Sequence, residues 1–343
     1  MSDTAILDIL FLVGLPDDGR SMVMTTDGQK IELAGLQGAS ILTKQLPKAL
    51  ANRFRFNFFY LPISGPQKAG ISVPKTQLIV NAICDPDICN NALNMAVHLT
   101  QDLKLPVLNH PKQVLLTRRG RVSSLLSDLP GWTIPKTIRI TPKRASEVIT
   151  AARDKGVEPP FIFRPAGGHG LTERMLIDTP ESLNGIARFP LDGRGFYATQ
   201  FIDFKNSDGV YRKFRFMVID GVAYPRHMLI DHNWNVHAKA RTEAMADTAR
   251  YRDEERAFLK HGFEALRPGV ETIAQRMGLD ALVVDGGLDA QDKPVLFEAN
   301  TCGRLIGSQA RSPKPFAYLN TPVERIQNAI AQLLMKRAGG GDA

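Results

Sequence analysis

The 343 residues exceed an ordinary single domain, so two or three units with substantial cores are expected. A hydrophobic share of 43% against 23% charged residues excludes a disordered chain, and no apolar run approaches the length of a membrane span. The formal net charge of +8 invites a nucleic-acid reading, but the Lys and Arg residues are scattered and no basic run alternates with aromatics.

A basic cleft for phosphates and carboxylates accounts for the same excess, so neither nucleic acid nor membrane is an expected partner. Three cysteines are too few for a disulfide framework, and the start Met1-Ser2-Asp3-Thr4 carries no basic segment ahead of an apolar one. A reduced, cytoplasmic setting is the expectation.

In chain order, residues 5–13, 56–61 and 76–82 are short apolar runs, each followed by Pro or Gly, as parallel strands ending in loops would be. A helix is predicted over 88–103, where Ile88, Ala92, Met95, Ala96 and Leu99 fall at helical spacing. With a short strand at 106–109 these make an open α/β sheet, whose tip at Cys84-Asp85-Pro86-Asp87 lies where such sheets bind ligands. Cys84 and Cys89 lack a second pair, so buried packing is expected of them rather than zinc.

Three arginines (118, 119 and 121) then precede a helix predicted over 122–129, a strand over 136–140 and a helix over 146–155. The apolar strand 161–163 runs through Arg164 into Gly167-Gly168-His169-Gly170. Glycines at such spacing let backbone amides approach an anion, although a tight structural turn reads the same way. Residues 196–204 alternate as a strand does, and a long strand over 210–221 follows a polar turn. Period two puts Lys213 and Arg215 on one face and Arg212 on the other with Phe214 and Phe216. Two cations on such a face require anions opposite them. The histidines at 227, 232 and 237 fit neither one helix face nor one strand face, so loop polarity or substrate contact is expected there.

After a helical region over 254–276, two strands at 281–284 and 295–297 flank a turn rich in Gly, Asp and Pro. Asp285 ends the first; Glu298 and Asn300, two apart, share a face just past the second. Three oxygen donors on adjacent strands suit Mg²⁺, the alternative being a polar hairpin whose acids face solvent. An amphipathic helix over 322–336 and a short tail close the chain.

In this order the parts resemble the ATP-grasp superfamily over roughly residues 80–310, above all its glutathione-synthetase-like ligases, which include the ribosomal-protein glutamate ligases and D-alanine–D-alanine ligase. The resemblance implies an α/β (α+β) fold. A Rossmann-like pre-ATP-grasp domain would span 1–110 and a central subdomain with a glycine flap 111–198. An antiparallel-sheet subdomain holding the metal would span 199–336, with 337–343 as tail.

It further implies ATP and Mg²⁺ as cofactors, with Asp285, Glu298 and Asn300 as metal ligands. Arg215, with Lys213 beside it, would face the terminal phosphate. Arg164 and Arg121 stand where the family's phosphate-binding lysines fall. Gly167, Gly168, His169 and Gly170 would form the flap, and Gln200, Phe201, Ile202 and Phe297 the nucleotide pocket, with Gln200 where Glu is usual.

The implied activity is ADP-forming ligation of a carboxylate to an amine or thiol through an acyl phosphate. The substrates would be small molecules or peptides, and the resembling families commonly dimerise. Two alternatives stay open. One is a kinase with Asp231, His232 or His237 as base; the other is a nucleotide-binding module without turnover, motivated by the two Lys-to-Arg departures.

Overall fold

The computed structural model describes residues 6–19, 22–26, 30–34, 52–61, 73–168, 174–302 and 314–339. The nearly unbroken apolar run at the start is the composition of a strand covered on both faces. It forms β1 (Leu7–Gly14), and the backbone then traces a hairpin of β2 (Met22–Thr26) and β3 (Lys30–Ala34). With β4 (Phe54–Leu61), β5 (Leu78–Asn81) and β6 (Val107–Leu108), β1 builds a parallel sheet of order β4-β1-β5-β6. The predicted helix is α1 (Asn90–Leu103), which buries Ala92, Leu93, Ala96 and Leu99.

The helix expected over 122–129 instead begins one turn earlier, as α2 (Arg119–Leu125). A second sheet follows from β7 (Thr137–Ile140), β8 (Phe161–Pro165), β9 (Met175–Ile177) and β10 (Phe196–Gln200), antiparallel in the order β7-β10-β8-β9. Its core is aromatic, with Phe163 and Phe196 stacked at 4.6 Å and Phe189 edge-on to both.

The third sheet, antiparallel in the order β12-β11-β13-β14, comprises β11 (Tyr211–Ile219), β12 (Val222–Asp231), β13 (Ala281–Leu288) and β14 (Pro294–Asn300). Residues 226–231, read from the sequence as loop, belong to β12. The last two strands also run further than their apolar stretches suggest, so Asp285, Glu298 and Asn300 lie within the ladder. The closing helix α3 (Asn320–Arg337) packs Ile326, Ile330, Leu333 and Leu334 among Ile9 and Phe11 of β1 and Met217 and Val283 of the third sheet. One core thus joins the parallel sheet to the antiparallel one. Asn109 adds a polar clasp, its amide nitrogen donating to the Ala281 carbonyl at 2.7 Å and its oxygen accepting from the Ala281 amide at 2.9 Å. No described helix is long and apolar enough to cross a membrane.

Candidate active site

The second and third sheets face each other across an open cleft lined by both apolar and charged side chains. One part is apolar: Ile162 from β8, Phe201, Ile202, Phe204, Trp234 and Val236, opposite Val295, Leu296 and Phe297 of β14. Trp234 meets Phe201 edge-on at 5.6 Å, and Phe204 lies 4.7 Å from Phe297. The hinge segment after β10 spends two of its amides within the protein, Gln200 to the Lys136 carbonyl and Phe201 to the Pro160 carbonyl. The predicted pocket residues Gln200, Phe201, Ile202 and Phe297 therefore all line one cavity.

The other part is charged. β13 and β14 pair so that Asp285 stands directly opposite Glu298, while Asn300 faces Val283. β11 runs on the other side of β13 and sets Arg215 opposite Asp285. Asp285 has no exposed surface. Its two oxygens accept from Arg215 Nε at 2.6 Å and Nη2 at 2.7 Å, and Lys213 Nζ adds a contact at 3.0 Å. Burial raises the Asp285 carboxyl, but Arg215 and Lys213 override it and hold the group below its ordinary range. The anion that two cations on one strand face demanded is thus Asp285. Arg212, on the opposite face, is satisfied separately by Asp208 and Glu254.

Glu298 lies 2.6 Å from Arg119 Nη2. Burial again pushes its carboxyl up, and Arg119, backed by Lys213, Arg164 and Arg215, brings it well below the usual range. The sequence reading put Arg121 at the nucleotide; of the two, the side chain that lines the cleft is Arg119, and Arg121 is exposed. Because the helix starts at Arg119 rather than Val122, the residue at the mouth of the cleft is two positions earlier. Arg164, nearly buried at the end of β8, donates to the Gly168 carbonyl and lines the cleft as expected. Gly167 takes φ +77, and a Cβ there would meet Ile88 at 2.7 Å, so the turn leaves room for no side chain. His169 and Gly170 lie outside the described residues.

Arg174, which no sequence signal marked, enters the cleft ahead of β9 and leaves its Nε buried without an acceptor among the described residues. Among the described residues, five cations (Arg119, Arg164, Arg174, Lys213 and Arg215) act on the carboxylates of Asp285 and Glu298. The His237 imidazole is lowered first by burial and then by Arg174, Lys213 and Arg215, and its Nδ1 has no partner among the described residues.

Among the described residues no three His, Cys, Asp or Glu side chains converge on one point. Asp285 and Glu298 with the Asn300 amide are nevertheless the hard-oxygen set that Mg²⁺ takes when one or two carboxylates suffice and phosphates complete the shell. The tip at Asp85-Pro86-Asp87 is occupied internally: Asp87 accepts from the Tyr197 hydroxyl at 2.6 Å and lies 3.5 Å from Arg118 Nε. Cys84 and Cys89 are buried, and Cys302 Sγ donates to the Cys84 carbonyl at 2.8 Å.

No family model matches the sequence, and no curated protein matches it. Solved structures do. A RimK-domain ATP-grasp protein from Sphaerobacter thermophilus superposes with a TM-score of 0.52 at 14% identity, covering 96% of this chain and 99% of that one. The D-alanine–D-alanine ligase of Coxiella burnetii gives 0.55 at 10% identity, with 97% and 96% covered. The VanG D-Ala:D-Ser ligase of Enterococcus faecalis gives 0.52 at 13% identity, with 98% and 99% covered. The chain has the ATP-grasp fold.

Proposed function

We propose, from this fold and from the five cations gathered around Asp285 and Glu298 at one end of an apolar cleft, that the protein is an ADP-forming carboxylate–amine ligase. The charge surplus is the observation that carries the reading. Among the described residues the buried Nε of Arg174 has no acceptor, a placement that suits a polyphosphate oxygen, and the apolar walls suit a nucleobase. The base would lie between Phe201, Ile202 and Trp234 on one side and Phe297 on the other. Arg119, Arg164, Arg174 and Lys213 would take the phosphates.

Phosphate oxygens compete with Asp285 and Glu298 for the guanidiniums, which releases carboxylate oxygens toward a metal. Mg²⁺, held by Asp285, Glu298 and Asn300, would neutralise the charge on the transferring phosphoryl group. Arg215 stays at the reaction end as fixed positive charge, the kind of preorganised electrostatic aid that such transfers need. A substrate carboxylate oxygen attacks the γ-phosphorus and ADP leaves; an amine then attacks the acyl phosphate carbon, releasing phosphate and a proton. The flap implied for Gly167–Gly170 would shield that intermediate from water.

The kinase reading keeps one observation in its favour, the Nδ1 of His237, which has no partner among the described residues and lies among the cations. Purified protein with Mg-ATP and pooled acids and amines decides between them. Phosphate release only when both substrates are present supports ligation, and a phosphorylated product without condensation supports the kinase. Tight nucleotide binding without turnover in every pool leaves a binding module.

A further inference from the structure

Besides Glu298, the buried carboxylates that act on Arg215 and on Arg226 are Asp285 and Glu255, and both are saturated. Asp285 is taken by Arg215 and Lys213. Glu255, fully buried, accepts from the Met228 amide, from two nitrogens of Arg241 and from the Tyr318 hydroxyl. A carboxylate offers about four acceptor sites, so Glu255 has none to spare. Arg226 stands beside these groups without an ion pair among the described residues, and its Nη1 is buried with no acceptor. Burial, and then the neighbouring charges of Arg241 and Arg215, draw its pKa down to about 10.

The backbone shows why Arg226 points there. Arg215 pairs with His227 and Phe216 with Pro225, which makes Arg226 an extra residue bulged out of the β11–β12 ladder. A regular strand would send Arg226 and His227 to opposite faces. The bulge re-aims one of them, a device found beside active sites. The charges of Arg215 and Arg241 accordingly act on both side chains. His227, held neutral by burial and those cations, contributes no countercharge.

A guanidinium desolvated without a counter-anion is costly, and a ligand that brings the anion removes the cost. Taking the ligase reading as given, we infer that Arg226 is the specificity-determining cation of the acid subsite and that the acid substrate is a dianion. One carboxylate reacts at Arg215; a second anionic group, carboxylate or phosphate, is held by Arg226.

The test is calorimetry on the full chain loaded with Mg²⁺ and the non-hydrolysable analogue AMP-PNP. Succinate, glutamate and 3-phosphoglycerate are titrated against butyrate, glutamine and glycerate, which lack the second charge. The wild type binds at least one dianion about thirtyfold tighter than its counterpart, as loss of a buried charge pair implies. A preference for succinate or glutamate assigns the second group as carboxylate, and one for 3-phosphoglycerate as phosphate. Arg226→Met, which keeps the apolar stem, erases the preference with AMP-PNP affinity unchanged, and Arg226→Lys restores part of it. Equal binding of both members of every pair, no dianion binding, a preference that survives in Arg226→Met, or a parallel loss of AMP-PNP affinity each overturns the inference. Hydroxylamine with ATP reports separately on ligation: Arg226-dependent dianion binding without hydroxamate would sink the ligase reading and leave the subsite standing.

Discussion

Arg215 grips Asp285 through both carboxylate oxygens, across a strand pair that sets the two residues directly opposite each other. Asp285 has no exposed surface, so its charge depends on this partner and on Lys213. Arg215→Met leaves a buried carboxylate with one cation, and removing one member of a buried pair costs about 3 kcal/mol. Urea unfolding should show a lower midpoint with an unchanged slope. The double variant Arg215→Met/Asp285→Leu should recover much of that loss, since no charge is then stranded. A double variant no more stable than the single would show that the pair is not what Arg215 contributes to stability.

Arg119 and Arg121 are two residues apart on one helix and meet different surroundings. Arg119 reaches Glu298 in the cleft, whereas Arg121 is exposed. Arg119→Met should weaken ATP binding roughly tenfold, the worth of one charge-assisted contact. Arg121→Met should leave the affinity unchanged and alter stability by no more than about 0.5 kcal/mol. Equilibrium dialysis with labelled nucleotide reads both, and the reverse ranking would return the phosphate contact to Arg121.

The same pair gives a pH dependence with a definite sign. Glu298 is depressed in the folded chain, so its contribution is complete above the unfolded value of about 4.3 and is lost as the pH falls through the folded one. The difference in melting temperature between wild type and Arg119→Met should therefore be widest near neutrality. It should narrow as the pH falls below the unfolded value of about 4.3 and close towards the depressed folded value, where Glu298 itself takes up a proton and no longer needs the guanidinium. A gap that stays constant with pH would mean that Arg119 stabilises by packing alone.

Much of this site was legible in the chain because it rests on strand periodicity. Lys213 and Arg215 share a face, Glu298 and Asn300 share a face, and a sheet must bring the two sets within reach of each other. Arg119 was not singled out because a helix start is set by backbone hydrogen bonds that hydrophobic spacing does not reveal. The sequence shows the periodic residues from Val122 onward but not the preceding turn. Arg174 was missed because one basic residue beside a three-residue strand has no pattern at all. Arg226 was hidden by its bulge: inserting one residue breaks the alternation from which strands are read, and residues 226–237 looked like loop. The shared core under α3 brings together residues more than three hundred positions apart, which local patterning does not report.

Trp234 offers a direct optical test of where the base sits. The chain has two tryptophans. Trp132 is nearly buried and lies edge-on to Phe214 at 6.1 Å, away from the cleft lining. Trp234 is partly exposed, lines the cleft and meets Phe201 of the hinge. A purine entering between the hinge and Phe297 would displace water from the indole and bring a polarisable ring against it, so adding ADP should change the intrinsic fluorescence in a saturable way. The Trp234→Phe variant should bind labelled ADP within about threefold of wild type, because an aromatic wall remains. Its fluorescence, now from Trp132 alone, should not respond. Trp132→Phe should keep the full response provided that it folds, which its native melting profile checks. A response that vanishes in Trp132→Phe and persists in Trp234→Phe would put the nucleotide somewhere other than this cleft.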